Sequence, residues 1–200
     1  MKTVTGLFDS YDDASTAVIA LENAGIYAKD ISIVSNNADG RHEHASNAAE
    51  GASAGAGLGV LAGGVSGLLA GLGMLAIPGV GPVVAAGWLA ATAAGAAAGA
   101  AVGGAAGGII GALTDSGVSE TDAHVYAEGV RRGGTLVTAK VDESRAADAE
   151  TILSGSNGVD PASRRQAYEQ SGWTGFDPKL GPYTADEIKR ERERNLYPIG

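Results

Sequence analysis

Between Tyr11 and Ala24 the apolar positions Ala14, Ala17, Val18 and Leu21 recur at spacings of three and four, the stripe of a helix that buries one face. Gly25 supplies a left-handed stop at its end, and Asp9 and Ser10 in front are good N-caps. The stretch before the caps, TVTGLF at residues 3–8, is short and β-prone. After Gly25, DISIVS at residues 30–35 alternates as a strand does, with Ile31 and Ile33 on one face and Val34 on the other. The order is strand, helix, strand.

The same order returns near the other end of the chain. Ser119 and Asp122 cap a predicted helix over AHVYAEGVRRG, and TLVTAKV at 135–141 reads as a strand. Val141-Asp142-Glu143 then echoes Phe8-Asp9-Ser10, an amphipathic helix runs through Leu153 to Gly158, and Gly158-Val159-Asp160 reads as a short last strand. Neither half can bury a core alone. Together they predict an α+β protein with the ferredoxin-like βαβ-βαβ layout, whose two halves are residues 1–35 and 133–162. In that layout two helices cover one face of the sheet, and Val4, Leu7, Val18, Leu21, Ile31, Ile33, Leu136, Val141, Ile152 and Leu153 form the core. Everything from about Asn36 to Arg132 is an insertion between the middle strands: a polar linker at 36–50, an apolar stretch at 51–114 and a connecting helix at 115–132.

The apolar stretch is of different material. No ionisable side chain occurs between Glu50 and Asp115, and glycine falls on a four-residue beat at Gly51, Gly55, Gly59, Gly63, Gly67 and Gly71. The beat resumes at Gly87, Gly95, Gly99, Gly103, Gly107 and Gly111, with Ala91 in step. Glycine inside a helix costs about 1 kcal/mol relative to alanine, so two such runs imply close backbone approach, as in small-xxx-small helix pairs. Pro78, Gly79, Gly81 and Pro82 mark a bend at 78–82, and the expected structure is a glycine-zipper helical hairpin whose arms pack on each other and on neighbouring copies. Arms of about 40 to 48 Å would exceed a bilayer core of about 30 Å. Lipid would gain little from the second arm, because residues 90–101 carry no large apolar side chain.

Charge and chemistry narrow the function. A net charge of −9 and the lack of a basic face argue against a nucleic-acid partner. Arg131-Arg132, Arg164-Arg165 and the Lys189 to Arg194 run read as solvated helix faces. Cysteine is absent, which removes any disulfide framework, and the polar start MKTVTGLFDSYDD has no secretory apolar run, so a cytoplasmic N-terminal segment is expected. His42 and His44 find only His124 as a further imidazole, so no metal site is expected. Gly71 to Ala76 fits a dinucleotide-binding spacing but lacks its strand and acidic residue, and Asp9, Asp12 and Asp13 read as a helix cap. No catalytic residue and no cofactor are predicted.

At the C-terminus, residues 163–200 form an arm. Thr184 and Glu187 make a capping box for a short charged helix at about 185–195. Trp173, Phe176, Tyr183, Leu196 and Tyr197 are too many apolar groups for a free tail, which predicts docking on the chain's own domain or on a neighbour, with disorder as the alternative.

The opening VTGLFDSYDDASTAVIALENAGI with DISIVS, the bend AIPGVGPVVAAG and the returning GGTLVTAKVD resemble bacterial general stress proteins of the 17M-like, heat-induced group, some labelled low-temperature-induced, over roughly residues 3–160. That resemblance implies a stress-associated bacterial protein, often membrane-associated, with no enzymatic activity or catalytic residues to carry over. The resulting expectation is a non-enzymatic homo-oligomer at the bacterial inner membrane, with both termini cytoplasmic and the lipid bilayer as a further partner. The alternative is a cytoplasmic self-assembling scaffold, a ring, shell or filament, that buries the hairpins between subunits. A small-ligand sensing module is the third reading.

Overall fold

The computed structural model describes residues 1–40, 72–77, 79–92 and 108–196, together with Leu68. It is an α+β protein built on one five-stranded antiparallel sheet. The strands are β1 (Lys2–Phe8), β2 (Ile31–Asn36), β3 (Gly73–Ile77), β4 (Gly81–Gly87) and β5 (Thr135–Val141), in the spatial order β1-β5-β2-β4-β3. The register pairs Thr5 with Thr138, Ile33 with Val137 and with Ala86, and Leu75 with Val83.

Helices cover both faces. On the first lie α1 (Tyr11–Asn23) and α4 (Ala146–Gly155), whose Ala14, Val18, Leu21, Ala149 and Leu153 pack with Val4, Phe8, Ile31, Ile33 and Val137. On the second lie α2 (Ile109–Asp115) and α3 (Glu120–Arg131), whose Ile109, Leu113, Ala127 and Val130 pack with Leu7, Val34, Val83 and Leu136. The alternation in β2 therefore sorts Ile31 and Ile33 from Val34 as the strand period requires. The expected core is buried except for Ile152, which is partly buried against it. Covering by helices on one face alone was the wrong expectation: the helix at 115–132 is no connector but, as α3, part of the second layer, and β2 is buried along its whole length.

Local signals explain the element ends. Ser10 Oγ accepts from the Asp13 N–H at 3.0 Å, and Ser119 Oγ accepts from the Asp122 N–H at 3.1 Å, each cancelling an unpaired donor of a helix start. The last expected strand shrinks to a single antiparallel bridge between Val159 and Leu7. Asp160 then caps α5 (Pro161–Gln170), with Pro161 in the first turn, where its missing N–H costs nothing.

The apolar insertion departs from expectation at its centre. Residues 73–87 are not two helical arms meeting at a bend but a β-hairpin that extends the sheet. The turn at 79–80 is where the sequence places it, yet it joins strands. In β3 the side chains alternate, with Met74 exposed, Leu75 partly buried, Ala76 exposed and Ile77 buried, a period-two pattern hidden inside an uninterrupted apolar run. Gly87 closes β4 with φ of +88°, and a Cβ there would lie 2.2 Å from the Ile31 carbonyl oxygen. Its glycine thus serves strand docking against β2, not helix packing. Pro78 and the zipper positions Gly51, Gly55, Gly59, Gly63, Gly67, Gly71, Gly95, Gly99, Gly103 and Gly107 lie outside the described residues. Among the described residues no helix is long and apolar enough to cross a membrane.

Gly87→Ala separates the two arrangements by sign. In a helical arm it would add about 1 kcal/mol of stability; at a left-handed strand end against a carbonyl it removes about 2 kcal/mol or more. Urea denaturation of the variant, with the midpoint shifting down, checks the strand assignment.

Candidate functional site

The C-terminal arm closes over α3. After α5 it passes through a short turn of 3-10 helix at Pro178–Leu180 into α6 (Ala185–Leu196). The capping box forms reciprocally: the Thr184 N–H donates to Glu187 Oε2 at 2.8 Å, and the Glu187 N–H donates to Thr184 Oγ1 at 3.3 Å. The arm docks on its own domain, burying Tyr168 and Ile188.

Beneath it lies a knot of charge that the sequence reading misplaced. Glu128, on α3, is fully buried. Its Oε1 accepts from Arg131 Nη2 at 2.9 Å and from Arg132 Nε at 2.6 Å, while Arg132 Nη1 reaches Glu191 Oε1 of α6 at 3.0 Å. The Arg132 guanidinium stacks 4.2 Å from the Tyr168 ring centroid, and Arg131 lies 5.6 Å from that of Phe176 and 5.2 Å from that of Tyr183. Arg131-Arg132 is therefore no solvated face but a buried pair clasped between carboxylates and aromatic rings. Arg192 continues the clasp, donating to Asp39 Oδ2 at 2.5 Å and to the Gly133 carbonyl at 2.8 Å. Arg164 bonds Asp9 at 2.7 Å, whereas Arg165 is half-exposed and reaches only Glu169, one helical turn on, at 3.8 Å. Burial pushes the Tyr168 phenol above its ordinary range, against the opposing pull of the Arg164 and Arg132 cations.

Beside the knot an apolar cleft of about 510 Å³ opens between Ile77 of β3, the first turns of α2 and the arm residues Phe176 and Pro178. Gly111, expected as a zipper position, lines it from α2. Its polar groups are Thr114, Glu120 and His124. The Phe176 N–H donates to His124 Nδ1 at 3.1 Å, so the neutral imidazole carries its proton on Nε2. The cleft can hold a small apolar molecule beside the His124 ring. The arm also seats the hairpin turn: a Cβ on Gly79, at φ of +77°, would meet Pro178 Cα at 2.4 Å. Gly81 and Pro82 of the expected bend lie in β4, with Gly81 against Pro182.

Asp13 accepts from the hydroxyl of the capping Ser10 at the α1 start, whereas Asp9 is turned to Arg164 of α5. His42 and His44 lie outside the described residues, and among the described residues no cluster of three metal-ligating side chains occurs. The cleft and the knot were both missed, although the tetrad Glu128, Arg131, Arg132 and Glu191 had one legible signal, an i, i+4 Glu-to-Arg pair on α3. No family model, curated protein or solved structure matches this chain.

Removing one partner of a buried ion pair leaves the other uncompensated. Arg132→Ala should lower stability by about 3–5 kcal/mol, read by denaturation and apportioned by a double-mutant cycle with Glu128→Gln. A second expectation concerns pH. Hydrogen bonds from Ser163 hold Asp160 below its ordinary range, and bonds from Thr184 do the same for Glu187. Since the folded values lie below the unfolded ones, the stabilisation is complete above the unfolded carboxylate range and is lost as pH falls through the folded values. Amide protection factors, taken relative to intrinsic exchange at each pH, should fall in the first turns of α5 and α6 in acid before those of the sheet amides respond.

Proposed function

We propose that this chain is a non-enzymatic, self-associating protein of the bacterial stress-protein type, whose glycine-spaced runs are enclosed by protein, their own domain and neighbouring copies, more than by lipid. Its α+β domain is read as a ferredoxin-like core enlarged by the β3–β4 hairpin. That reading is supported by β5 lying between β1 and β2, by Val159 bridging the outer side of β1, and by α1 and α4 sharing one face.

The observation that carries the enclosed reading is the double tether of each run. The first is bounded by Gly40 on one side and by Leu68 and Leu72 of the first core on the other; the second is bounded by residue 92 and by Ile109 of the second core. A run tied at both ends to one domain must cross a bilayer twice or not at all. Two crossings need about 40 residues, and the intervals 41–67 and 93–107 are both shorter. Leu68, Leu72 and Ile77 of the uncharged stretch are buried in the protein, as is Leu89, and each contributes about 1.5–3 kcal/mol there. Apart from Leu58, Val60, Leu61 and Val65 in the first run and Val102 in the second, the residues of these intervals from Gly51 onward are small, which favours close packing of backbone on backbone.

Carbonate washing followed by detergent-free sedimentation tests this. The protein should leave the membrane fraction and sediment as a particle larger than one chain, and Gly63→Leu with Gly99→Leu should reduce the particle mass. Retention in washed membranes until detergent is added would restore the membrane reading. The cleft beside His124 supports a small-ligand role as a second reading; native mass spectrometry of the purified protein should then show a retained small molecule, displaced in a His124→Phe variant.

A further inference from the structure

Val159 donates its N–H to the Leu7 carbonyl at 2.7 Å, so the main-chain groups of Leu7 point away from β5, toward the outer edge of β1. By the two-residue period of a strand, those of Thr5 and Thr3 point the same way. Pairing cannot continue past Leu7 with the residues that follow Val159, because Asp160 and Pro161 turn the chain into α5. Among the described residues Thr3 and Thr5 therefore present a short unpaired edge, and it opens into a groove of about 690 Å³. One wall is the start of α3 with Ser119, Asp122 and Tyr126; the other is α4 with Ala147, Glu150 and Thr151. Thr5 Oγ1 is shielded from solvent and has no hydrogen-bond partner among the described residues.

We propose that this groove receives an extended, basic peptide segment, which adds to β1 as one further strand. Unpaired edge groups supply the affinity common to strand addition. Charge selects the occupant. The carboxylates of Asp122, Glu150 and Asp160 line the groove and, among the described residues, no lysine or arginine does. Asp122 is bonded by Ser119 Oγ, Asp160 by the Ser163 N–H, and Glu150 by Lys2 at 2.8 Å across an exposed pair that an incoming lysine can displace. A second copy of this chain fits poorly. Its own β1 edge lies between the same two walls, and a two-fold contact would set Glu150 and Asp122 against themselves.

The probe is a fluorescent, N-acetylated peptide of about six alternating lysines and valines, titrated into the intact protein and followed by anisotropy, with amide exchange read at Thr3 and Thr5. Binding should slow exchange at both amides. Thr5→Pro, which removes an outward N–H that an edge strand tolerates losing, should weaken binding about tenfold, and Glu150→Lys about fivefold. A peptide with methylated backbone nitrogens should not bind the wild-type protein, which keeps the test independent of how the variants fold. Equal binding of the methylated peptide, or of one alternating glutamate and valine, overturns the proposal. So does protection of the Thr3 and Thr5 amides that rises with protein concentration alone, since a second copy would then hold the edge.

Discussion

The whole architecture depends on β5 lying between β1 and β2. Its Val137 and Ala139 face the first helical layer and its Leu136 the second, so one strand supplies both cores. Deep in the interface with β2, the hydroxyls of Ser35 and Thr135 satisfy each other at 2.8 Å, and Asn36 Nδ2 donates to the Val130 carbonyl at 3.0 Å, fastening α3 to the same strand end. Polar groups sealed between two helical layers must find such partners, because water cannot reach them. The glycine pair after α3 serves the same junction: Gly133 ends the helix at φ of +101° and accepts Arg192, and the chain enters β5 immediately after.

Much of this was legible where local and tertiary preferences agree. Strand alternation at Ile31, Ile33 and Val34, the helical spacing of Ala14 to Leu21, and the caps at Ser10, Ser119 and Thr184 all read directly, because each rests on chemistry within a few residues. The hairpin at 73–87 did not. In a run without polar residues neither the 3.6-residue nor the two-residue period leaves a contrast to detect, and the glycine beat on either side drew the helical reading across it. Pro82 beside β-branched Val83 and Val84 was the available counter-signal. The α5 start at Asp160-Pro161 was equally readable and was passed over.

The buried charge knot was illegible for another reason. A Glu-to-Arg pair one helical turn apart is ordinarily exposed, and only the arm from more than thirty residues downstream converts it into an interior feature. Burial of such groups is costly unless several partners converge, and here Glu128, Glu191, Tyr168 and Tyr183 converge on two guanidinium groups. The candidate cleft inherits its far wall from the same arm through Phe176 and Pro178. Neither the knot nor the cleft belongs to one segment, so no single window of sequence carries either.

The placement of β5 also sets a timetable on the ribosome. β1 and β2 do not touch as neighbours; each pairs with β5, whose first residue is Thr135. At elongation speeds of about 5–20 residues per second, the N-terminal strands wait on the order of ten seconds for their partner. The uncharged stretch emerges within that interval, before the sheet that will anchor its ends exists. Until then that stretch is held by no sheet of its own, and each nascent copy offers an apolar surface to the next.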